Sequence, residues 1–158
     1  MKIRIATIYD LAEIQKLNLL LFKEEYEWDN SLNLGWTFSE IGTAYFKSAI
    51  QSEHSCVYII HACGEIFGYI AGSESEDDSY RIGSKMFVLD DMYVLKEGRN
   101  KGAGSMLYKA FYDWSIKQGA NRWKVDVTFR NKKALMFYAK MGLISNTVVL
   151  EKKLVGET

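Results

Sequence analysis

The sequence contains no proline, only two cysteines and two histidines, and no net charge, since 20 Lys and Arg offset 20 Asp and Glu. Average usage would place about eight prolines in a chain of this length, so turns and helix ends must be set by Gly, Asn and Asp. Cys56 and Cys63 stand in strand-like surroundings without CxxC or Cys/His spacing, which predicts reduced structural thiols and no bound metal. His54 and His61 lie outside every motif and are read as surface or structural residues. Neutral charge leaves no global attraction to nucleic acid or to an anionic membrane, so any electrostatic recognition must be local. The longest apolar run, Ala134 to Ala139, falls far short of the roughly 20 residues that span a bilayer. The first residues alternate and reach Asp10 without the apolar core of a signal peptide, so a cytoplasmic location is expected.

What is present is the composition of a globular protein. Of 158 residues, 48% are hydrophobic, 14% aromatic and 25% charged, which excludes disorder, collagen and coiled coil and predicts a single domain over residues 1–158. Lys2 to Ile5 alternates as a short strand. Asp10 with Glu13, and Thr37 with Glu40, are spaced as capping boxes opening amphipathic helices to about Glu25 and Ser52, the second with Ile41, Tyr45, Ala49 and Ile50 inward. Cys56 to His61 and Glu65 to Ala71 read as a hairpin. Lys85 to Val94 is apolar on both alternations except at Asp90 and Asp91, the pattern of a strand covered on both faces. A glycine-rich turn, Gly98 to Gly104, leads into a helix that stops near Gly119. Trp123 to Thr128, Asn131 to Met141 and Thr147 to Leu154 then read as strand, helix and strand. This order defines a mixed α/β sheet.

Three glycines between a covered strand and a helix make a place where an anion binds. The backbone can approach a phosphate closely, amides converge on it, and the helix dipole adds positive potential. Arg99 and Lys101 add charge. The loop lacks the GK[ST] of a Walker loop and the GxGxxG spacing of a dinucleotide fold.

RNKGAG, Arg99 to Gly104, resembles the [QR]xxGx[GA] signature of the GNAT superfamily of acetyl-coenzyme A dependent N-acetyltransferases. NKKALMFYAKMGL, Asn131 to Leu143, resembles its second signature, NxxAxxxYxxxGF, with Leu143 where Phe is usual. The resemblance implies a GNAT-like fold: a mostly antiparallel sheet of six or seven strands with a splayed parallel pair, flanked by about four helices. It implies acetyl-coenzyme A as co-substrate, with the amides of Asn100, Lys101, Gly102, Ala103, Gly104 and Ser105 cradling the pyrophosphate and Arg99 beside them. Met92, Tyr93 and Val94 would run along the pantetheine arm as a strand does. Asn131, Ala134, Phe137 and Lys140 would also contact the coenzyme, although Asn131 is equally a natural N-cap. A homodimer is expected, the exposed aromatics near the C-terminal strand being the place to look.

Tyr138 follows Asn131 by seven residues and Ala134 by four, on one helix face. The resemblance makes it the acid that protonates the departing thiolate; spacing alone is also met by a core aromatic. Asp90 and Asp91 interrupt a covered strand and need an explanation. One of them, with Asp90 favoured, would relay the proton from the acceptor amine, and LDDMYV is similar to the corresponding strand of polyamine and diamine acetyltransferases. Alternation sends the pair to opposite faces unless a bulge intervenes, and an Asp satisfied by backbone amides at a bulge is the alternative. Glu24, Glu27 and Trp28, with Glu25, Asp29, Tyr26 and Trp36, would form an acidic aromatic wall suited to a small cationic amine. Direct transfer to a primary amine in a ternary complex is therefore expected. The competing readings are a non-catalytic acyl-coenzyme A sensor and a protein N-terminal or lysine acetyltransferase.

Overall fold

A computed structural model describes residues 1–154. Five strands, β1 (Lys2–Ile5), β2 (Ser55–Ala62), β3 (Glu65–Ser75), β4 (Met86–Val94) and β5 (Arg122–Val125), form one sheet in sequence order. The first three pairings are antiparallel and β4 with β5 is parallel. Helices α1 (Leu11–Glu25) and α2 (Glu40–Gln51) cover one face; α3 (Ala103–Lys117) and α4 (Lys132–Lys140) cover the other. Strand alternation divides the core accordingly. Val57, Ile59, Tyr69 and Tyr93 pack with Ile14, Leu17 and Phe46 on the α1/α2 side. Cys56, Ile60, Ile70, Phe87 and Leu89 pack with Leu107, Phe111 and Tyr138 on the α3/α4 side.

The expected mixed sheet with a parallel pair and four helices is present, with five strands rather than six or seven among the described residues. Thr147 to Leu154, read as a strand, forms no ladder: Val148, Val149 and Leu150 are 77–90% exposed, and β-rich composition makes no strand without a partner. Both capping boxes shift. Asp10 accepts from the Thr7 amide and hydroxyl and from both terminal nitrogens of Arg4, so it closes a short 3₁₀ turn ahead of α1 and ties β1 to it. At α2 the cap is Ser39, whose Oγ accepts from the Gly42 amide, while Thr37 is buried in a 3₁₀ turn, Trp36–Phe38. A Cβ on Gly42 would stand 2.1 Å from the Trp36 carbonyl, so only glycine lets α2 lie this close to that turn. Ile41, expected inward, is 72% exposed.

A buried polar chain locks this corner. Gln15 Nε2 donates to the Thr37 carbonyl and to Thr43, Thr37 Oγ1 donates to Asn18, and Asn18 Nδ2 donates to the Tyr69 hydroxyl. Each group is satisfied, as burial requires.

Candidate active site

The register between β3 and β4 slips between Ala71 and Gly72: Ala71 faces Asp91, whereas Gly72 faces Leu89. Asp90 is the extra residue of a β-bulge, and it inverts the alternation. Phe87 and Leu89 point to the α3/α4 side before it, and Tyr93 points to the α1/α2 side after it. Asp90 and Asp91 are thereby both brought to one cavity of about 240 Å³, instead of to opposite faces. Phe22 of α1, Trp36, Tyr45 of α2 and Val88 form its apolar walls, and Asp126 stands at its edge. Phe22 and Trp36 stack at 5.9 Å, and Tyr45 lies 5.6 Å from Trp36.

Asp91 is half-buried, and its carboxyl takes part in no hydrogen bond with another described side chain or amide. Burial, then the charges of Asp90 and Glu25, push its carboxyl up to about 7. Asp90 is raised less: burial acts on it too, but Ser73 Oγ donates to its carboxylate at 3.0 Å. Glu25, half-buried at the end of α1, is raised by burial and by Asp29. The Tyr45 phenol is held far above its ordinary value by burial and by Asp91 and Asp90. Tyr138 is buried on α4 and is likewise held up, by burial first and then by the charges of Asp91 and Glu25. It therefore stays protonated across the working range of pH.

Beyond Leu89, β4 and β5 are no longer paired, so one edge of residues 90–94 is open. The cavity lies on the α1/α2 side of the sheet, whereas the glycine loop opens α3 on the other. Asn100 and Gly102 both have positive φ, 58° and 84°, and no side chain caps the first turn of α3. The free amides at that helix end, with Lys101 exposed beside them, suit a diphosphate. A Cβ on Gly104 would meet the Phe137 ring at 3.3 Å, so α3 and α4 approach closely there. Asn131 caps α4, accepting from the Ala134 amide at 3.1 Å, and Lys140 is exposed in its last turn.

Other residues of the expected site stand elsewhere. Arg99 turns away from the helix end: its Nε donates to the Val94 carbonyl at 2.8 Å, and Nη2 donates to Glu24 at 2.9 and 3.0 Å. Glu24 also accepts from the Tyr93 hydroxyl at 2.8 Å. Glu24, Glu27 and Trp28 do not line the cavity. Phe22, Tyr45 and Asp126 were not among the expected site residues. Tyr45 carried only a core-facing signal, and Asp126 carried none.

The family model "Acetyltransferase (GNAT) family" matches residues 17–143. That is most of the chain, and the protein belongs to this family: it is an acetyltransferase that uses acetyl-coenzyme A. An uncharacterized N-acetyltransferase, YhfO, of Bacillus subtilis (strain 168) is 27% identical over 106 residues, 66% of this chain and 68% of that one. The tetramutant of the BH1408 protein from Bacillus halodurans superposes with a TM-score of 0.84 at 21% identity, covering 98% of this chain and all of that one. The aminoglycoside N-acetyltransferase AAC(6')-Iy in complex with CoA gives 0.74 at 18% identity, with 98% and 100% covered. These likenesses support the fold. Among the described residues there is no group of three or more His, Cys, Asp or Glu placed to hold a metal, and no helix long and apolar enough to cross a membrane.

Proposed function

We propose that the protein acetylates a primary amine of a small cationic molecule, directly and without a covalent acetyl-enzyme. The observation that carries this reading is the bulge at Asp90, which gathers two carboxylates under aromatic walls on the side of the sheet away from α3. An ammonium group is attracted there by Asp90, Asp91 and Glu25 and by the faces of Trp36 and Tyr45. To attack, it must lose a proton. Asp91, with an acid constant held near neutrality by burial first and then by the charge of Asp90, is matched to accept it, directly or through water. This moves the base role to Asp91 from Asp90, which the sequence favoured.

The coenzyme, when bound, supplies a thioester whose carbonyl carbon takes the amine. Asn100 to Ser105 hold its diphosphate, and the edge of residues 92–94 that β5 leaves unpaired, with its Val94 carbonyl already taken by Arg99, holds the arm between. The Tyr138 hydroxyl donates to the departing sulfur as the C–S bond breaks, and the second proton, shed by the amine nitrogen as the C–N bond forms, restores the phenol directly or through water. Burial makes this phenol a poor acid and the Asp91 and Glu25 charges add to it; the arriving cation offsets those charges, so acceptor and acid are matched. No cysteine is needed: Cys63 is exposed in a turn, and the buried Cys56 thiol is pushed up to about 12.

The test is thiol release from acetyl-coenzyme A over a panel of mono- and diamines, amino sugars and neutral controls, with products weighed by mass spectrometry. Acetylation of one or more cationic amines is expected. Coenzyme binding with no release across the panel would favour a sensor. Acetylation of peptide N-termini or lysines alone would replace the small amine by a protein.

A further inference from the structure

The loop proposed above to hold the diphosphate has few anchors. Among the described residues, the only side-chain hydrogen bonds made by residues 96–105 are those of Arg99. After Arg99 the chain passes through two left-handed residues, Asn100 and Gly102, to the uncapped start of α3, where Ala103 is buried in the core, so no side-chain hydrogen bond fixes residues 100–102 between Arg99 and that anchor. Arg99 itself is held on three sides. Its Nε donates to the carbonyl of Val94, the last residue of β4, and Nη2 spans both oxygens of Glu24 in the last turn of α1. Its guanidinium carbon lies 5.2 Å from the centre of the Tyr93 ring, whose hydroxyl donates to the same Glu24. Glu24 and Arg99 are each about one-third exposed, so the ion pair is partly shielded from water.

We propose that Glu24 and Tyr93 position Arg99 as a tether that sets the coenzyme loop against the end of α1, rather than Arg99 lending its charge to the diphosphate or Glu24 binding the amine. This rests on the loop being the coenzyme cradle. Phe22, two residues before Glu24 on the same helix, lines the acceptor cavity. Through α1 the tether joins the loop that takes the coenzyme to the wall that faces the acceptor. Coenzyme and acceptor affinities are then coupled, and by reciprocity each changes the other by the same factor.

The two roles for Arg99 predict opposite results, read by calorimetric binding of coenzyme A to the full chain. As a tether, R99A and E24A each weaken binding about tenfold, and the double variant is no weaker than R99A. R99K, which keeps the charge but cannot span Val94 and Glu24 together, behaves as R99A. E24Q, which still accepts from Arg99 and Tyr93, restores much of the loss. Y93F gives a smaller loss and serves should E24A fold poorly. If Arg99 served the diphosphate by charge, R99K would keep its affinity, and E24A, by releasing the guanidinium, would bind as tightly or more tightly; either outcome overturns the tether. With an amine found by the panel, E24A should raise the acceptor KM more than it lowers kcat, and an unchanged KM would break the coupling. Failure of the unaltered protein to bind coenzyme A would instead remove the cradle, and the tether with it.

Discussion

A carboxyl group that burial and two neighbouring carboxylates keep protonated up to about pH 7 weakens the fold whenever it ionises. For Asp91 the folded value lies above the ordinary 3.8, so the native chain binds the proton more tightly than the unfolded one. Stability from this group is full below about pH 4 and falls as pH rises through 7. D91N removes the penalty. It should be more stable than the unaltered protein at pH 8 by on the order of 2–4 kcal/mol, several degrees in Tm, with the difference vanishing near pH 4. Equal melting curves at both pH values would mean that Asp91 is solvated. If Asp91 is the base, stability and catalysis oppose each other here, because the ionised form that destabilises is the form that accepts a proton. At Tyr138 burial and the same charges act on the proposed donor. Y138F should lower kcat about 100-fold while leaving coenzyme affinity within about twofold; normal turnover would remove the tyrosine from the reaction.

Elements fix these side chains in ways that were unequally legible. The start of α4 could be read because Asn131 is followed by a helical run, and it does cap α4. The glycine loop could be read because a left-handed Gly102 is needed to join β4 to α3 in a tight turn. The bulge could not: LDDMYV does not say which of two adjacent aspartates is the extra residue, and that single choice decides whether they share a face. Thr37 reads as a cap because Glu40 follows at the right distance, but a buried partner, Asn18, captures its hydroxyl and the cap moves to Ser39. Such competition is set by tertiary contacts and leaves no local trace. Asp10 is the clearest case of an element tether. Arg4 and Thr7 hold its carboxyl down at about 2, so its contribution is present above about pH 4 and lost as pH falls through 2. D10N should cost about 1 kcal/mol at pH 7, a figure discounted because Arg4 is 43% exposed, and the gap should close near pH 2. A gap that persists at pH 2 would point to lost packing instead.

Across the whole molecule, zero net charge conceals a division between the two sides of the β4–β5 splay. Lys101, Arg130, Lys132 and Lys133 are exposed around the glycine loop and the start of α4, whereas Asp90, Asp91 and Asp126 line the cavity. This division suits the anionic coenzyme at the loop and the cationic amine proposed for the cavity. Raising salt from about 0.05 to 0.5 M should increase the coenzyme KM several-fold, because exposed charges are screened beyond a few ångströms. A KM indifferent to salt would leave backbone amides alone to hold the diphosphate.

The central claim is that Asp91, brought to the cavity by the bulge, takes the proton from a cationic amine. The most direct measurement is thiol release from acetyl-coenzyme A with the best amine of the panel, by the unaltered protein and by D91N, from pH 5.5 to 9. We expect kcat/KM of the unaltered protein to rise through about pH 7. We expect D91N to bind the coenzyme normally, to turn over about 100-fold more slowly, and to lose that rise. A D91N enzyme with full turnover and an unchanged pH profile would contradict the assignment.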